Sequence, residues 1–435
     1  MISTGNAMRR LYQTVCTLAL LLVGLQAAHA DDIIDVIGGQ EGAMPVAVIP
    51  FAVTGEIPTP DQDIARVISD NLARSGRFEV LPREELVARP AGLDDTRFSA
   101  WRALGMDYLV TGRMEMDGHR VSVTFELLDV FRGNRIEGRR YRLHPDNLRS
   151  LAHAISDIVF EEVVGLPGVF GTQIAYVQVE ERNDQRIHRL MVADADGQRP
   201  REILESRQPI MSPAWSPERD RLAYVSFEGG RSEIYVQNLR SGQRDRIASF
   251  RGINSAPAWS PDGRHLAVTL SRDGRANIYL LRLDDGHVRR LTDHWAIDTE
   301  PTFSPDGERI AFTSDRGGRP QVYTLAVNGP GGVERVTFDG DYNARPNWSP
   351  DGRRIAMVHR HNGSFRIAVH DLESDRTRVL TDGPWDESPV FAPNGDMIMY
   401  SAGGSGDSRL RTVSVHGRAN QALPRAGGLT REPAW

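Results

Sequence analysis

The sequence contains no lysine and only one cysteine, Cys16. All 52 basic side chains are therefore arginine. They are interspersed with 58 acidic residues, and the net charge is −6. No basic stripe of the kind that binds nucleic acid stands out from this mixture, so we expect no nucleic-acid partner.

Residues 1–30 have the features of a secretory signal peptide. Arg9 and Arg10 precede an apolar run at 18–25, and an A-x-A motif ends at Ala30. The run is too short for a membrane span, and the cysteine precedes it, which does not fit a lipoprotein. We predict cleavage after Ala30, which takes the charge from −6 to about −8. The exported product then has neither thiols nor disulfides.

A repeat of 43 to 45 residues organises most of the remaining chain. Its P-x-[WF]-[SA]-P core begins at Pro213, Pro257, Pro301, Pro346 and Pro389, with a truncated copy at Pro433. This period, with several short strands and turn signals in each unit, indicates a β-propeller with one four-stranded blade per repeat. We name the strands A to D, with the P-x-[WF] segment as strand A.

Each strand class has six members, which predicts six blades. The repeat region begins with a B strand near Gly171 and ends with an A strand at 433–435. We therefore expect the last residues of the chain to supply the innermost strand of the first blade. This arrangement closes the ring by backbone hydrogen bonds and leaves no open edge.

Residues 31–165 precede the propeller, which we place at 169–435. Strands and helices alternate first and a meander follows, which is typical of an α/β domain with a mixed sheet. The predicted strands are 45–51, 78–81, 108–113, 119–130 and 135–143, and the predicted helices are 61–75, 98–104 and 148–164. The predicted fold is thus an α/β N-terminal domain with a mixed sheet followed by an all-β six-bladed β-propeller. The first domain contains no phosphate-binding glycine loop and no catalytic constellation.

The segment from Asp31 to Gly42 combines apolar and acidic residues with glycines. Two interpretations remain open from the residues alone. It is either a loosely held edge strand or a detachable strand for a partner.

The repeated residues have structural roles. Ser-Pro-Asp-Gly forms a tight turn, since proline presets φ, aspartate bonds backwards and glycine accepts a positive φ. One aromatic residue per repeat should pack between adjacent blades: Trp215, Trp259, Phe303, Trp348, Phe391 and Trp435. Asp262, Asp306 and Asp351 occur once per turn and do not form a paired acid and base.

The repeats differ in the loops that connect strand D to the next strand A. The B–C loops lie on the same face, because strands alternate in direction. This face carries Trp295, Asp298, Glu300, Tyr342, Arg345, Trp385 and Glu387. Aromatics, arginine and carboxylates around a channel mouth are typical of a protein-binding rim, and a plain solvated rim is the alternative.

Enzymatic signatures are weak. The string at 403–407 lacks the final glycine of a G-x-S-x-G elbow, and the histidines are scattered, with His359 and His361 two residues apart on a strand end. We therefore predict no enzyme, no cofactor and no metal. Two alternatives remain. A propeller-scaffold hydrolase or lyase would be indicated by a catalytic metal held by three side-chain ligands. An envelope polysaccharide-binding module would be indicated by a sugar stacked on Trp295 or Trp385.

The whole arrangement, from signal peptide to terminal P-A-W, resembles the TolB family, the periplasmic components of Tol-Pal systems. Particularly similar stretches are SPAWSPERDRLAYVSFEGGRS (212–232), TEPTFSPDGERIAFTSDRGGRPQVY (299–323) and LPREELVARP (81–90). A W-S-P-D-G match alone is common to many propellers, but the full arrangement is specific.

The resemblance implies a monomeric periplasmic adaptor that is not embedded in a membrane and supports outer-membrane integrity and constriction during division. It implies that the propeller rim binds the peptidoglycan-associated lipoprotein Pal, and that the extreme N-terminus binds TolA. Other outer-membrane proteins are further candidate partners. The resemblance also favours the partner-binding interpretation of Asp31 to Gly42.

The family's Pal-contacting positions fall on Ile253, Ala256 and Thr299, and the family often has histidine where this chain has Ile253. With neighbouring loop residues, the predicted Pal rim is Ile253, Asn254, Ala256, Asp298, Thr299, Glu300, Tyr342, Arg345, Trp385 and Glu387. The predicted TolA segment comprises Asp31, Asp32, Ile33, Ile34, Asp35, Val36 and Ile37.

Overall fold

The computed structural model describes residues 34–35, 42–55, 63–329, 331–404, 406–424 and 427–435. The predicted signal peptide with its cleavage site at Ala30 lies outside the described residues, as do Asp31, Asp32, Ile33, Val36 and Ile37. Within the described part of the chain, no helix is long and apolar enough to cross a membrane.

The N-terminal domain is built on one mixed sheet, as predicted. Its strands are Met44–Val48, Ala52–Thr54, Phe78–Val80, Tyr108–Asp117, Arg120–Asp129 and Asn134–Leu143. The strand Met44–Val48 pairs in parallel with both Phe78–Val80 and Tyr108–Asp117. The last three strands form an antiparallel meander.

Two helices, Ile64–Ser75 and Leu148–Val164, pack against one another in this domain. Asp63 caps the first helix by accepting a hydrogen bond from Arg66 N at 3.2 Å. Gly76 ends it with φ of 69°, a conformation that favours glycine. A shorter helix spans Phe98–Ala103, and single turns of 3₁₀ helix lie at Arg83–Glu85, Leu93–Asp95 and Pro145–Asn147.

The core of the domain follows the alternation in the meander. Val121, Val123, Phe125 and Leu127 are each fully buried, as one buried face of a sheet requires. The predicted strand 45–51 differs from the structure, because the observed strand ends at Val48 and a second strand, Ala52–Thr54, follows beyond the predicted range. Pro50 lies at the break, and proline cannot donate to a strand ladder.

The propeller has six blades, each with four antiparallel strands, which confirms the predicted blade count. In the order A, B, C, D, blade 1 comprises Leu429–Ala434, Gln173–Arg182, Gln185–Asp194 and Arg201–Ser206. Blade 2 comprises Ile210–Trp215, Arg221–Ser226, Glu233–Asn238 and Arg244–Ala248. Blade 3 comprises Asn254–Trp259, His265–Leu270, Asn277–Arg282 and Val288–Arg290.

The other three blades have the same order of strands. Blade 4 comprises Asp298–Phe303, Arg309–Ser314, Gln321–Ala326 and Glu334–Arg335. Blade 5 comprises Asn343–Trp348, Arg354–His361, Ser364–Asp371 and Arg376–Val379. Blade 6 comprises Asp386–Phe391, Met397–Ala402, Arg409–Ser414 and Asn420–Ala422.

The ring closes through the chain's last strand, as the strand order predicts. Leu429–Ala434 pairs antiparallel with Gln173–Arg182, and Leu429 lies opposite Val179. The indole Nε1 of Trp435 donates to Thr172 Oγ1 at 2.7 Å. The C-terminus therefore completes blade 1, which otherwise begins with strand B.

The repeat aromatics pack against the preceding blade. Trp259 of blade 3 donates from Nε1 to the carbonyl of Ala214 in blade 2, at 3.1 Å. Phe303 of blade 4 joins the apolar cluster that contains Leu280 of blade 3. These contacts confirm the predicted interblade packing for Trp259 and Phe303.

The N-terminal domain docks on the face of the propeller formed by the A–B turns and C–D hairpins. Arg77 donates to both carboxylate oxygens of Asp396, in the A–B turn of blade 6, at 3.1 and 3.0 Å. Arg149 of the last helix pairs with Asp196, in the C–D hairpin of blade 1. The domain therefore covers blades 6 and 1 on one face and leaves the opposite face, with the D–A loops, open.

The backbone of Ile34–Asp35 adds a fifth strand to blade 5. It runs parallel to the outermost strand, with Ile34 opposite Arg378 and Asp35 opposite Val379. This pairing places part of the predicted TolA segment at the outer edge of the ring.

Candidate functional site

The D–A loops are anchored by the residue three positions before each repeat proline. In five blades this residue is polar and buried: Asn254, Asp298, Asn343, Asp386 and Thr430. The amide of Asn254 donates to the carbonyls of Phe250 and Gly252, at 2.8 and 3.2 Å. Such bonds fix the loop before any partner arrives, which lowers the entropic cost of binding.

Exposed apolar side chains are concentrated on these loops. Within the described part of the propeller, the large apolar side chains that remain exposed are Ile253, Trp295, Ile297, Phe338 and Trp385, and all five lie in D–A loops. Trp295 is 62% exposed and Phe338 is 64% exposed. A cluster of exposed apolar residues with polar neighbours marks an interaction site more often than scattered single residues do.

The loop that carries Trp295 and Ile297 is fixed by backbone contacts. Arg275 donates to the carbonyl of Trp295 at 2.5 Å, and Ile297 N donates to Asp315 Oδ1 at 2.8 Å. Both contacts come from B–C loops, which confirms that the two loop classes share one face. The exposed side chains are therefore displayed by an ordered backbone.

An aromatic cluster lies between blades 5 and 6. The ring of Phe365 contacts Tyr342 with centroids 5.1 Å apart, and Trp385 with centroids 4.8 Å apart. Trp385 is 46% exposed, and its Nε1 lies 3.4 Å from Glu387 Oε2. The three rings pack against one another and leave the indole of Trp385 partly exposed. Tryptophan side chains of this kind often contribute most of the binding free energy of an interface.

The residue before each repeat proline has a left-handed backbone conformation. These residues and their φ values are Ser212 (50°), Ala256 (48°), Glu300 (56°), Arg345 (53°), Ser388 (57°) and Glu432 (52°). Non-glycine residues seldom adopt positive φ, and each instance coincides with a break in the register of strand A. The bulge places these six residues around a central channel of about 300 Å³.

Arg345 crosses this channel. Its Nε lies 2.8 Å from Glu300 Oε1 in blade 4, and its Nη2 lies 3.9 Å from Glu432 Oε2 in the closing strand. It also donates to the hydroxyl of Ser388 in blade 6. Burial lowers the pKa of Arg345, but the two glutamates outweigh burial and raise it overall. The charges in the channel therefore compensate one another. The arrangement is an ion-pair network that links blades, and it does not resemble a catalytic acid–base pair.

The structure separates the predicted Pal-rim residues into four groups. Ile253 and Trp385 are exposed, while Thr299, Tyr342 and Glu387 are half-buried at the rim. Ala256, Glu300 and Arg345 line the channel. Asn254 and Asp298 are fully buried, so their side chains shape loops and do not face solvent.

The burial of Asp298 has a clear cause. Its carboxylate accepts two hydrogen bonds from Arg316 Nη2, at 3.0 and 2.9 Å. Arg316 comes from the B–C loop of the same blade. The pair ties the two loops together, and direct contact by the Asp298 side chain with a partner is not available in this conformation.

Sequence reasoning missed Ile297, Phe338 and Phe365 as parts of this face. Ile297 and Phe338 were inside predicted D–A loops, and their apolar character was the available signal. The contribution of Phe365, at the start of strand C in blade 5, had no local signal, because it depends on the position of Trp385 next to blade 6. His359 is fully buried, with Nδ1 2.8 Å from Asn343 Oδ1, which fits a structural histidine.

Comparison with known protein families gives two matches that together span almost the whole chain after residue 31. The TolB amino-terminal domain model matches residues 32–136. The TolB beta propeller domain model matches residues 160–435.

Individual relatives agree with these matches. The Tol-Pal system protein TolB of Nitrosococcus oceani is 54% identical over 422 residues, which cover 96% of each chain. That of Thioalkalivibrio sulfidiphilus is 53% identical over 437 residues, covering 100% of this chain and 99% of the relative. The crystal structure of TolB from Acinetobacter baumannii superposes with a TM-score of 0.83 at 38% identity, covering 90% of this chain and 96% of the other.

Proposed function

The chain belongs to the TolB family of Tol-Pal system proteins, and we propose that it is a non-enzymatic periplasmic adaptor. In this proposal the D–A face of the propeller binds Pal, and the segment from Asp31 to Gly42 binds TolA. By linking these partners, the protein supports outer-membrane integrity and constriction during division.

One observation carries the proposal for Pal. The exposed apolar side chains of the described propeller lie on the D–A loops, on the face that the N-terminal domain leaves open. The opposite face is partly occupied by that domain, so a second folded protein has unobstructed access only to the D–A side. Exposed apolar side chains among polar neighbours are typical of surfaces that bind protein partners.

The charged groups of the channel support a binding role rather than catalysis. Glu300 and Glu432 both lie near the guanidinium of Arg345. The repeated aspartates bond to their own turns, as Asp262 does with Ser260. Acid–base catalysis by a carboxylate needs a group that is free to transfer a proton, and these groups serve backbone and ion-pair geometry instead.

Replacing Trp295 with serine tests the proposed Pal site. Removal of a large exposed aromatic anchor at the centre of an interface costs about 2 kcal/mol or more, which weakens binding about 30-fold. The measurement is calorimetric titration with the soluble domain of Pal, and the melting temperature should not change.

Phe131→Ser is the matched control for this experiment. Phe131 is 65% exposed, close to the 62% of Trp295, but it lies on the N-terminal domain. It should leave Pal affinity unchanged. If both variants bind Pal with wild-type affinity, or if Phe131→Ser alone weakens binding, the D–A face is not the Pal site.

The backbone pairing of Ile34–Asp35 supports the proposal for TolA. This part of the segment pairs as a strand with Arg378–Val379, and a short apolar segment that adds to a sheet edge can also add to a partner's sheet. Deleting residues 31–42 should abolish TolA binding and leave Pal affinity equal or higher. The measurement is again calorimetric titration. If the shortened protein still bound TolA with wild-type affinity, the assignment of this segment to TolA would be wrong.

A further inference from the structure

A buried arginine without a carboxylate partner lies where the two domains meet. Arg74, in the last turn of the helix Ile64–Ser75, is 7% exposed. Its Nη2 donates to Asn71 Oδ1 at 3.0 Å, and its Cζ lies 6.0 Å from the ring centroid of Phe170. Its Nε has no hydrogen-bond partner among the described residues. A buried charge in this state is costly unless something else compensates it.

The two carboxylates whose charges act on Arg74 are engaged elsewhere. Asp196 accepts from Arg149 through Oδ2, and from a backbone N–H of its own hairpin through Oδ1 at 3.0 Å. Asp70 is largely exposed, and its Oδ2 lies 3.9 Å from Arg66 Nε. Burial lowers the pKa of Arg74, and the charges of Asp196 and Asp70 offset this only in part. The fold therefore leaves this positive charge without a direct partner.

Other buried arginines of the described chain show how such a group is otherwise compensated. Arg316 donates to both carboxylate oxygens of Asp298, at 3.0 and 2.9 Å. Arg149, close to Arg74 at the same junction, pairs with Asp196. Within the described ranges, Arg74 has no carboxylate in the corresponding role.

Arg74 instead lines a cavity of about 450 Å³ between the domains. One wall belongs to the N-terminal domain and includes Val67 and Arg149. The opposite wall belongs to the propeller and consists of amide and apolar groups from blades 1 and 6: Gln198, Gln421, Leu423 and Pro424. A cavity of this volume can hold a small molecule, and a ligand in it would contact both domains.

We propose that this cavity binds a small organic carboxylate and that Arg74 recognises its charge. The planar guanidinium presents N–H groups that match the two oxygens of a carboxylate. One positive charge is unpaired here, so a singly charged carboxylate fits it better than a doubly charged phosphate. Gln198 and Gln421 offer further hydrogen bonds, and Leu423 suits a short aliphatic body.

This site is distinct from the surfaces proposed for Pal and TolA and does not depend on them. It lies on the side of the propeller that receives the N-terminal domain, away from the D–A loops. Because both domains line the cavity, a bound carboxylate should also stabilise their docking, since a ligand stabilises the state that binds it.

The test is saturation-transfer NMR of the mature protein with sodium butyrate at constant ionic strength. Butyrate should bind with a Kd of about 1 mM, as expected for a small ligand held by one charged group. Butyramide, which has the same shape without the charge, should bind about 10-fold more weakly or less. Inorganic phosphate is the third probe and should not displace butyrate. No binding of butyrate, or displacement of it by phosphate at equal concentration, would overturn the carboxylate assignment.

Arg74→Gln removes the charge and retains a donor for Asn71. Butyrate affinity should fall about 10-fold or more, the value of a charge-assisted hydrogen bond. The melting temperature without ligand should stay the same or rise, because the variant no longer buries an unpaired charge. Butyrate at 50 mM should raise the melting temperature of the wild type more than that of the variant. A merely structural arginine would give the opposite result, with lower stability and unchanged butyrate affinity.

Arg142→Gln is the matched control, because it removes the same charge from the N-terminal domain at an exposed pair with Asp117. It should leave butyrate affinity unchanged, and an equal loss in both variants would mean that butyrate responds only to net charge. Gln198→Glu provides a second variant at an exposed position of the propeller wall. The added negative charge should weaken butyrate binding about 5-fold, and full affinity in this variant would contradict the assigned cavity.

Discussion

The two faces of the propeller are built from the same six repeats and have diverged to different degrees. On the face of the A–B turns, the same hydrogen bond recurs from blade to blade, with Ser260 to Asp262 and Ser304 to Asp306 both at 2.5 Å. On the D–A face, equivalent positions carry side chains as different as Asn254 and Asp298. Ring geometry constrains the first face, and the second is free to specialise.

The contrast extends to what each face contacts. The constrained face receives the N-terminal domain at blades 6 and 1 through Arg77 and Arg149. The specialised face presents exposed apolar side chains such as Trp295 and Phe338. One face thus serves internal assembly, and the other is suited to partners.

Removing the last five residues, 431–435, should have the largest effect, because both faces depend on the closed ring. The deletion takes away the buried Trp435 and Ala434 and exposes an edge of the strand Gln173–Arg182. Loss of a buried tryptophan alone costs about 3–5 kcal/mol, so the melting temperature should fall by roughly 10 °C or more.

Circular dichroism during heating measures this effect, and deletion of residues 31–42 provides the comparison. The N-terminal deletion should leave the main transition in place. Equal melting temperatures for the wild type and the C-terminal deletion would contradict the closure of the ring by the final strand.

Arg77→Met should have the next largest effect and should act on the constrained face alone. It leaves the carboxylate of Asp396, which is 2% exposed, without its arginine. Breaking a buried pair by removing one partner costs about 3 kcal/mol. Urea denaturation should show this loss, and Pal affinity should remain unchanged.

Arg83→Met is the matched control, since its partner Asp63 lies 2.5 Å away but both side chains are substantially exposed. An exposed pair contributes about 1 kcal/mol or less. Similar losses of stability in the two variants would mean that Arg77 does not fix the docking of the domains.

The contact between Arg77 and Asp396 should also make the stability of the docking interface fall at acid pH. Burial raises the pKa of Asp396, but the nearby His416 and the hydrogen bonds from Arg77 outweigh it and hold the pKa below its ordinary value. The stabilisation is therefore complete above about pH 4 and is lost as the pH falls further. Arg77→Met should flatten this acid dependence of stability, and an unchanged profile would argue against the assignment.

Asp306→Ala should have the smallest effect on stability. It removes hydrogen bonds with Ser304 Oγ and Glu308 N, the second at 2.9 Å, and should cost about 1 kcal/mol without altering Pal affinity. Thr299→Arg on the other face should instead weaken Pal binding and leave the stability unchanged, because Thr299 is half-buried at the rim. If Asp306→Ala weakened Pal binding as much as Thr299→Arg, the division of labour between the faces would be wrong.

The blade architecture could be predicted because each repeat carries its own structural signals. The prolines, the interblade aromatics and the Ser-Pro-Asp-Gly turns mark every blade, and the strand order indicates closure by the C-terminus. The helix Leu148–Val164 was predicted with its observed bounds, because its apolar spacing ends at Gly165, whose φ is 77°.

The candidate site could be predicted as a face but not residue by residue. Polar residues in loops suggest exposure, yet Asn254 and Asp298 are buried because they anchor the loops from within. Glu300 and Arg345 are bonded to each other across the channel, a contact between residues in different blades. Charge reversal at Glu300 would therefore disturb the channel as well as the rim, and Thr299 alone is the cleaner test.

The position of the docking contacts had no local signal either. Arg77 and Asp396 are 319 residues apart in the chain and meet only when both domains are complete. The difference between Asp298 and Asp386, which occupy equivalent positions, likewise depends on a neighbouring arginine that only the fold brings to one of them.

The most direct test of the central claim is hydrogen–deuterium exchange of the mature protein with and without the soluble domain of Pal. We predict protection in the D–A loops 293–300, 338–345 and 382–388, with little change in the A–B turns. Protection confined to the A–B turns, the C–D hairpins or the N-terminal domain would contradict the claim that partners bind the specialised face.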